Sequence, residues 1–149
     1  MTRLTAFYSP RYACADSPLL ARLAVSATRL EAAGLVELRA PPQLDLAWLE
    51  QLHDPVYVQA FMTGEEPLAS SQGIAWTPGV RDASLAMLAG QLAAAEHALD
   101  TGIAMNIARG FHHAVRQRGS GYCALNGLAL LALAHPQRKV FVIDCDEHG

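Results

Sequence analysis

A short apolar run, Val140 to Ile143, is followed at once by alternating polar residues. The run has the length and β-branched content that are typical of a strand buried on both faces. Side chains alternate along an extended chain, so Asp144, Asp146 and His148, which are spaced by two, share one side of it. A carboxylate and an imidazole in this arrangement can bind one metal ion, with the first aspartate behind them. The alternative is a buried strand that runs into an ordinary polar loop.

A second polar cluster lies upstream, where His112 and His113 follow a short apolar segment at residues 103–108. We predict that segment as a strand, residues 124–134 as a helix, and residues 140–143 as the next strand. These elements form a βαβ unit, whose crossover is right-handed and whose strands are parallel. The carboxyl ends of both strands then meet at one sheet edge, where ligands bind in open α/β folds. The topology therefore predicts that the two polar clusters lie together.

Local signals divide the rest of the chain into helices and connections. Three predicted helices begin where a capping residue precedes a proline: Ser17-Pro18, Asp54-Pro55 and Thr77-Pro78. Each of them ends near a glycine: Gly34, Gly64 and Gly102. We also predict a short helix at residues 45–52, a short strand at residues 35–38 and irregular structure before residue 17. The longest helix is expected to bury one stripe: Leu85, Leu88, Leu92, Ala95 and Leu99.

Composition limits the class of protein. The 149 residues are enough for one domain, and the apolar fraction of 52% suits a parallel sheet covered on both faces or a piece of a larger domain. Scattered basic residues and a net charge of −3 predict no direct contact with nucleic acid. The apolar runs are too short to cross a bilayer, and we see no export signal. We therefore predict no membrane association. Three separated cysteines indicate a reduced, cytoplasmic protein.

The polar clusters have the residue types of a hydrolytic metal site. A catalytic zinc ion takes three protein ligands, leaves one position open and lowers the pKa of water; Asp146 and His148 would supply two ligands. Histidine exchanges protons near neutral pH, so His112 and His113 can act as acid and base. Asp144 can orient one of them. Taken alone, however, a histidine pair is more often an ordinary loop feature.

The remaining histidines and cysteines are expected to be structural. We place His53 and His97 on helix faces and His135 at the end of a helix. Cys123 and Cys145 flank the predicted site, but free cysteines are most often small core residues.

Three ordered segments resemble the zinc-dependent histone deacetylase family, which includes acetylpolyamine amidohydrolases and acetoin-utilisation proteins. They are Ala104 to Ala114, Gly119 to Asn126 and Val142 to Gly149. The front half agrees more loosely, through segments that begin at Ser17 and Leu52. The resemblance implies the arginase/deacetylase fold, a three-layer α/β/α structure with a mainly parallel sheet. It also implies that residues 1–149 are the amino-terminal portion of a single deacetylase-like domain.

The resemblance implies a role for each matching residue. Asp146 and His148 match two of the three zinc ligands. His112 and His113 match the tandem histidines, of which the second is described as the general base and the first as its electrostatic partner. Asp144 matches the carboxylate that orients the first histidine and often binds a potassium ion.

Gly121 and Tyr122 match a glycine and an aromatic residue that contact the substrate in the acyl-lysine channel. Three residues depart from the family pattern: Arg109, where some members have glycine, Glu147 and Gly149. These departures leave the acyl-group preference open.

We therefore predict the amino-terminal part of a cytoplasmic deacetylase that uses Zn²⁺, with a structural K⁺ near Asp144 and no organic cofactor. It would hydrolyse an acetyl-amide, of the acetyl-lysine or acetylpolyamine type, to acetate and a free amine. The third zinc ligand and the transition-state tyrosine are expected beyond residue 149. We accordingly expect this chain alone to be inactive and to self-associate through residues 140–143. A dinuclear manganese ureohydrolase-like enzyme on the same fold, and a non-catalytic fragment or partner-binding module, stay open as alternatives.

Overall fold

The computed structural model describes residues 3–109 and 111–146. Three parallel strands form its sheet: β1 (Leu4–Phe7), β2 (Val36–Arg39) and β3 (Met105–Asn106). The strand order is β2-β1-β3, so β1 lies in the centre. Its register runs from Leu4 opposite Val36 to Phe7 opposite Arg39. The predicted irregular structure before residue 17 was therefore wrong for β1, whereas the predictions of β2 and β3 were confirmed in outline.

Helices cover both faces of this sheet. The helices are α1 (Pro18–Ala32), α2 (Ala47–Leu52), α3 (Pro55–Thr63), α4 (Pro78–Thr101) and α5 (Gly127–Ala134), with a 3-10 turn at Pro10–Tyr12. On β1, Ala6 packs with Ala27 of α1. The next residue, Phe7, packs with Ala93 and Ala94 of α4 on the opposite face. This alternation confirms the predicted α/β class with a parallel sheet between helical layers.

The helix boundaries follow the capping signals. The Asp54 carboxylate accepts a hydrogen bond from the backbone N–H of Val56 at 2.9 Å, and the Thr77 hydroxyl accepts one from Val80 at 3.1 Å. Ser17 occupies the N-cap position of α1, but its side chain makes no capping bond. No described helix is both long enough and apolar enough to cross a membrane.

Helix α4 is the centre of the packing, although its predicted buried stripe was only partly right. Leu88 is fully buried, but Leu99 is 45% exposed. Small residues on α4 let neighbouring elements approach closely: a Cβ at Gly90 would overlap the hydroxyl group of Tyr12. Because α4 contacts the 3-10 turn, the sheet and α5, its buried surface is wider than one leucine stripe.

The predicted strand at residues 140–143 is absent from the described residues. The segment is irregular, and Phe141 and Ile143 are 87% and 79% exposed. A strand becomes buried only when adjacent strands pair with it and helices cover its faces. Residues 3–109 and 111–146 provide neither the pairing strands nor the covering helices for this segment. The second strand of the predicted βαβ unit was therefore wrong here, and α5 begins at Gly127 rather than near residue 124.

Candidate functional site

The side chains of His112 and Asp144 are in contact although 32 positions separate them. Nδ1 of His112 lies 2.6 Å from Oδ2 of Asp144. The backbone N–H of Asp146 donates to Oδ1 of the same carboxylate at 2.9 Å. Both hydrogen bonds lower the pKa of Asp144 and keep the carboxylate ionised, and the bond from the Asp146 backbone has the larger effect. An ionised Asp144 favours the His112 tautomer that carries its proton on Nδ1.

His113 lies between His112 and the backbone of Gly121. The ring centroids of the two histidines are 3.9 Å apart, with the planes inclined by 69°. A Cβ at position 121 would overlap the His113 ring, and Gly121 has a φ of +51°. Both the space and the backbone conformation therefore require glycine at this position. The structure thus brings the two histidines, Asp144 and Gly121 into one cluster.

Tyr122 is presented at the tip of a tight turn. Ser120 and Cys123 exchange backbone hydrogen bonds of 3.0 and 2.7 Å around it. Tyr122 has a φ of +62°, which is unusual for a residue with a side chain. Its N–H donates to the carbonyl oxygen of Gln72 at 2.7 Å, and its side chain is 54% exposed. The aromatic ring is therefore held where an incoming ligand can contact it.

His53 supports this loop, and the sequence reasoning missed that role. It is fully buried at the C-cap of α2, so the prediction that it lies on a helix face was wrong. Its Nε2 accepts a hydrogen bond from the backbone N–H of Asn126 at 3.2 Å, so Nδ1 carries the proton and donates to the carbonyl oxygen of Val115 at 2.9 Å. Buried Tyr57 adds a hydrogen bond to the carbonyl oxygen of Ala124 at 2.7 Å. In the sequence, this role was indicated only by the family resemblance of the segment Leu52-His-Asp-Pro-Val-Tyr-Val58.

The other side chains with predicted structural roles agree in part. His97 lies on α4 with its ring edge-on to Phe7, and His135 is the C-cap residue of α5 as predicted. Cys123 is buried. Cys145 is exposed, so its expected place in the core was wrong, because the predicted strand before it is absent from the described residues.

A cavity of about 190 Å³ opens beside the His112–Asp144 pair. It is lined by Gln91, Arg109, Phe111, His112, Leu128, Val142, Ile143 and Asp144. Its walls thus combine apolar side chains with a cationic group and with the polar pair.

The described residues meet the requirements of a zinc site only in part. Of the two proposed ligands, Asp146 lies among the described residues, and its Oδ2 is 3.7 Å from Nε2 of His112. The other, His148, lies outside the described residues, as do Glu147 and Gly149. Carboxylate oxygen and imidazole nitrogen are donors that zinc accepts. However, residues 3–109 and 111–146 contain no group of three His, Cys, Asp or Glu side chains that could hold a metal ion. The zinc site and the K⁺ near Asp144 therefore stay predictions.

Comparison with known proteins identifies the family. Residues 19–149 match the histone deacetylase domain, and the chain belongs to the histone deacetylase family. It is 40% identical over 114 residues to an uncharacterised protein of Picosynechococcus sp., a match that covers 72% of this chain and 38% of that protein. It is 32% identical over 110 residues to histone deacetylase 8 of Xenopus laevis, which covers 68% of this chain and 33% of that protein.

The solved structures agree on the fold. The crystal structure of the HDA15 HD domain superimposes with a TM-score of 0.71 at 18% identity, covering 92% of this chain and 44% of that one. This likeness confirms the arginase/deacetylase-like α/β fold that the sequence predicted. The chain spans 33–38% of the length of the two curated relatives. The activity of a whole deacetylase, and the roles of the individual site residues, are therefore matters for proposal.

Proposed function

We propose that residues 1–149 carry the proton-transfer residues of a metal-dependent deacetylase that hydrolyses an acetyl-amide to acetate and a free amine. Acetyl-lysine and acetylpolyamines are the substrate types that we propose, and the cytoplasm is the proposed location. The observation that carries this proposal is the 2.6 Å contact between His112 and Asp144, with His113 against the ring of His112. A carboxylate, an oriented imidazole and a second imidazole beside it are suited to moving protons at an amide bond.

The residues divide the chemistry as follows. His113 accepts the proton of the attacking water and later returns a proton to the leaving amine. His112, oriented by the ionised Asp144, stabilises the positive charge that develops on its neighbour. Asp146 and His148 are the residues that we propose to hold Zn²⁺, which when bound polarises the acyl oxygen and lowers the pKa of water. Gly121 and Tyr122 guide the substrate stem to these groups.

A non-catalytic partner-binding module is the second candidate. The observation in its favour is the exposed apolar segment at residues 140–143, together with the lack of a three-ligand cluster among the described residues. Such a module would bind a second protein or another copy through that segment and would need no complete metal site.

Two variants of the complete gene product separate these functions. His113→Ala should keep its zinc content but lose about 10²–10⁴-fold in acetate release from acetyl-lysine peptide or acetylputrescine. Asp146→Ala should lose zinc and turnover together. His97→Ala is the matched control, because His97 lies on α4 against Phe7. Normal zinc content in Asp146→Ala would refute the ligand assignment, and absence of acetate release from the zinc-loaded wild type would favour the binding module.

A further inference from the structure

Next to the candidate site, one buried donor of Arg109 has no acceptor among the described residues. Its Nη1 atom is buried, and no hydrogen-bond partner for it exists among the described residues. None of the described ion pairs includes Arg109. A buried guanidinium N–H that has lost its water and gained no acceptor is costly, and the cost falls when a ligand supplies the acceptor.

The position of Arg109 points to that ligand. Arg109 lines the 190 Å³ cavity together with His112 and Asp144. Its guanidinium carbon also lies 5.8 Å from the centre of the Tyr122 ring. Arg109 therefore neighbours the aromatic ring that would guide a substrate and shares a cavity with His112 of the histidine pair. The cavity is several times the roughly 30 Å³ that one water molecule occupies, so it can hold a short acyl chain.

We propose that Arg109 makes the site selective for acyl groups that end in a carboxylate, such as malonyl or succinyl groups on an amine. This inference rests on the proposed hydrolysis and names its acyl class. A guanidinium group is always charged and binds a carboxylate through two parallel hydrogen bonds, whereas an acetyl group leaves it unpaired. Asp144 shares the cavity, but its two oxygens already accept hydrogen bonds from His112 and from the Asp146 N–H, which offsets its repulsion of a second anion.

The reaction is a plain hydrolysis and needs no further reactant. The oxygen of water bonds to the acyl carbon, the C–N bond breaks, and its electron pair leaves with the nitrogen. The nitrogen takes one proton from the water by way of His113. The second proton of the water leaves the new carboxyl group and is taken up by the amine, so the products are a dicarboxylate and an ammonium group.

Binding can be measured without turnover. We would titrate the complete gene product with N-methylsuccinamate, which carries an amide and a terminal carboxylate, and with N-methylbutyramide, which has no carboxylate. Calorimetry should show on the order of tenfold tighter binding of the succinamate. Arg109→Gln should remove the difference, and Arg109→Lys, which keeps the charge but loses the planar fork, should restore part of it. Arg118→Gln is the matched control, because Arg118 is exposed in the same region of the chain.

The outcomes separate this inference from the proposed function. Equal binding of the two amides, or a preference unchanged in both Arg109 variants, would overturn the inference even if acetyl-lysine peptide is hydrolysed. The succinamate could instead bind in an Arg109-dependent way while no acyl-lysine is hydrolysed. That result would support carboxylate recognition and refute the proposed hydrolase function. Faster release of succinate than of acetate from matched peptides, reversed in Arg109→Gln, would support both.

Discussion

The backbone N–H of Asn126 donates a hydrogen bond to Nε2 of His53 across 73 positions of sequence. On the other side of the ring, Nδ1 donates to the carbonyl oxygen of Val115. One neutral imidazole therefore joins both ends of the loop at residues 115–126, which contains Gly121 and Tyr122. The shape of the candidate site thus depends on a residue that does not contact the cavity.

This arrangement predicts a pH dependence of stability. Burial lowers the pKa of His53 below its usual 6.5, and protonation of Nε2 would remove the acceptor for the Asn126 N–H. Because the folded-state pKa is below the unfolded-state value, the contribution is fully present above pH 6.5 and is lost as pH falls through the folded-state pKa. Urea denaturation between pH 7.5 and 5 should therefore show a falling free energy of unfolding. His53→Gln should flatten this slope and His97→Gln should not; an unchanged slope in His53→Gln would contradict the assignment.

Gly121 gives a prediction with an internal control. Gly121→Ala combines an unfavourable φ with overlap of the His113 ring, whereas Gly34→Ala has a similar φ of +69° in open space. Backbone strain alone should cost roughly 1–3 kcal/mol in each variant. Only Gly121→Ala should also move the His113 ring resonances in NMR spectra. The same spectral change in Gly34→Ala would show that the effect is not local.

Asp144→Asn tests whether the carboxylate sets the tautomer of His112. The ionised Asp144 favours a proton on Nδ1, whereas a neutral amide has no such charge. Nitrogen-15 NMR of the imidazole should show one tautomer in the wild type and a mixture in Asp144→Asn. In the complete gene product, turnover should fall on the order of 10²-fold or more. A single unchanged tautomer in the variant would exclude this role for Asp144.

Tyr122→Ala should raise KM for acylated amines more than it lowers kcat. An aromatic channel wall contacts the substrate stem equally in the ground state and the transition state, which is uniform binding. Tyr122→Phe, which keeps the ring, is the control and should behave as the wild type. A loss confined to kcat would instead mean that the hydroxyl or the ring takes part in the chemistry.

The accuracy of the sequence predictions depended on the range of the interactions involved. The capping bonds at Asp54 and Thr77 connect residues two or three positions apart, so the local sequence contains the information. Strand β1 was missed because four residues show no useful period and their pairing partners lie at β2 and β3, distant in sequence. His53 was misplaced for the same reason, since its partners are the backbone groups of a loop more than sixty positions away.

The candidate site shows the same limit. The prediction that the two polar clusters lie together was right, since His112 contacts Asp144, although the strand at residues 140–143 from which it was argued is absent from the described residues. The sequence could not show that Nη1 of Arg109 has no acceptor among the described residues, because this depends on what packs around the guanidinium group. The catalytic and metal-binding roles of these residues stay predictions.

The apolar segment at residues 140–143 predicts self-association of the 149-residue chain. Phe141 and Ile143 are largely exposed, and the irregular segment forms no strand pairing among the described residues. Contiguous exposed apolar residues with free backbone groups favour pairing with another copy. Sedimentation velocity should show a concentration-dependent shift to larger species. Phe141→Ser should reduce that shift, whereas Val56→Ser, at an isolated residue that is 69% exposed on α3, should not. A chain that stays monomeric at every concentration, or an equal effect of both variants, would rule out this segment as the contact.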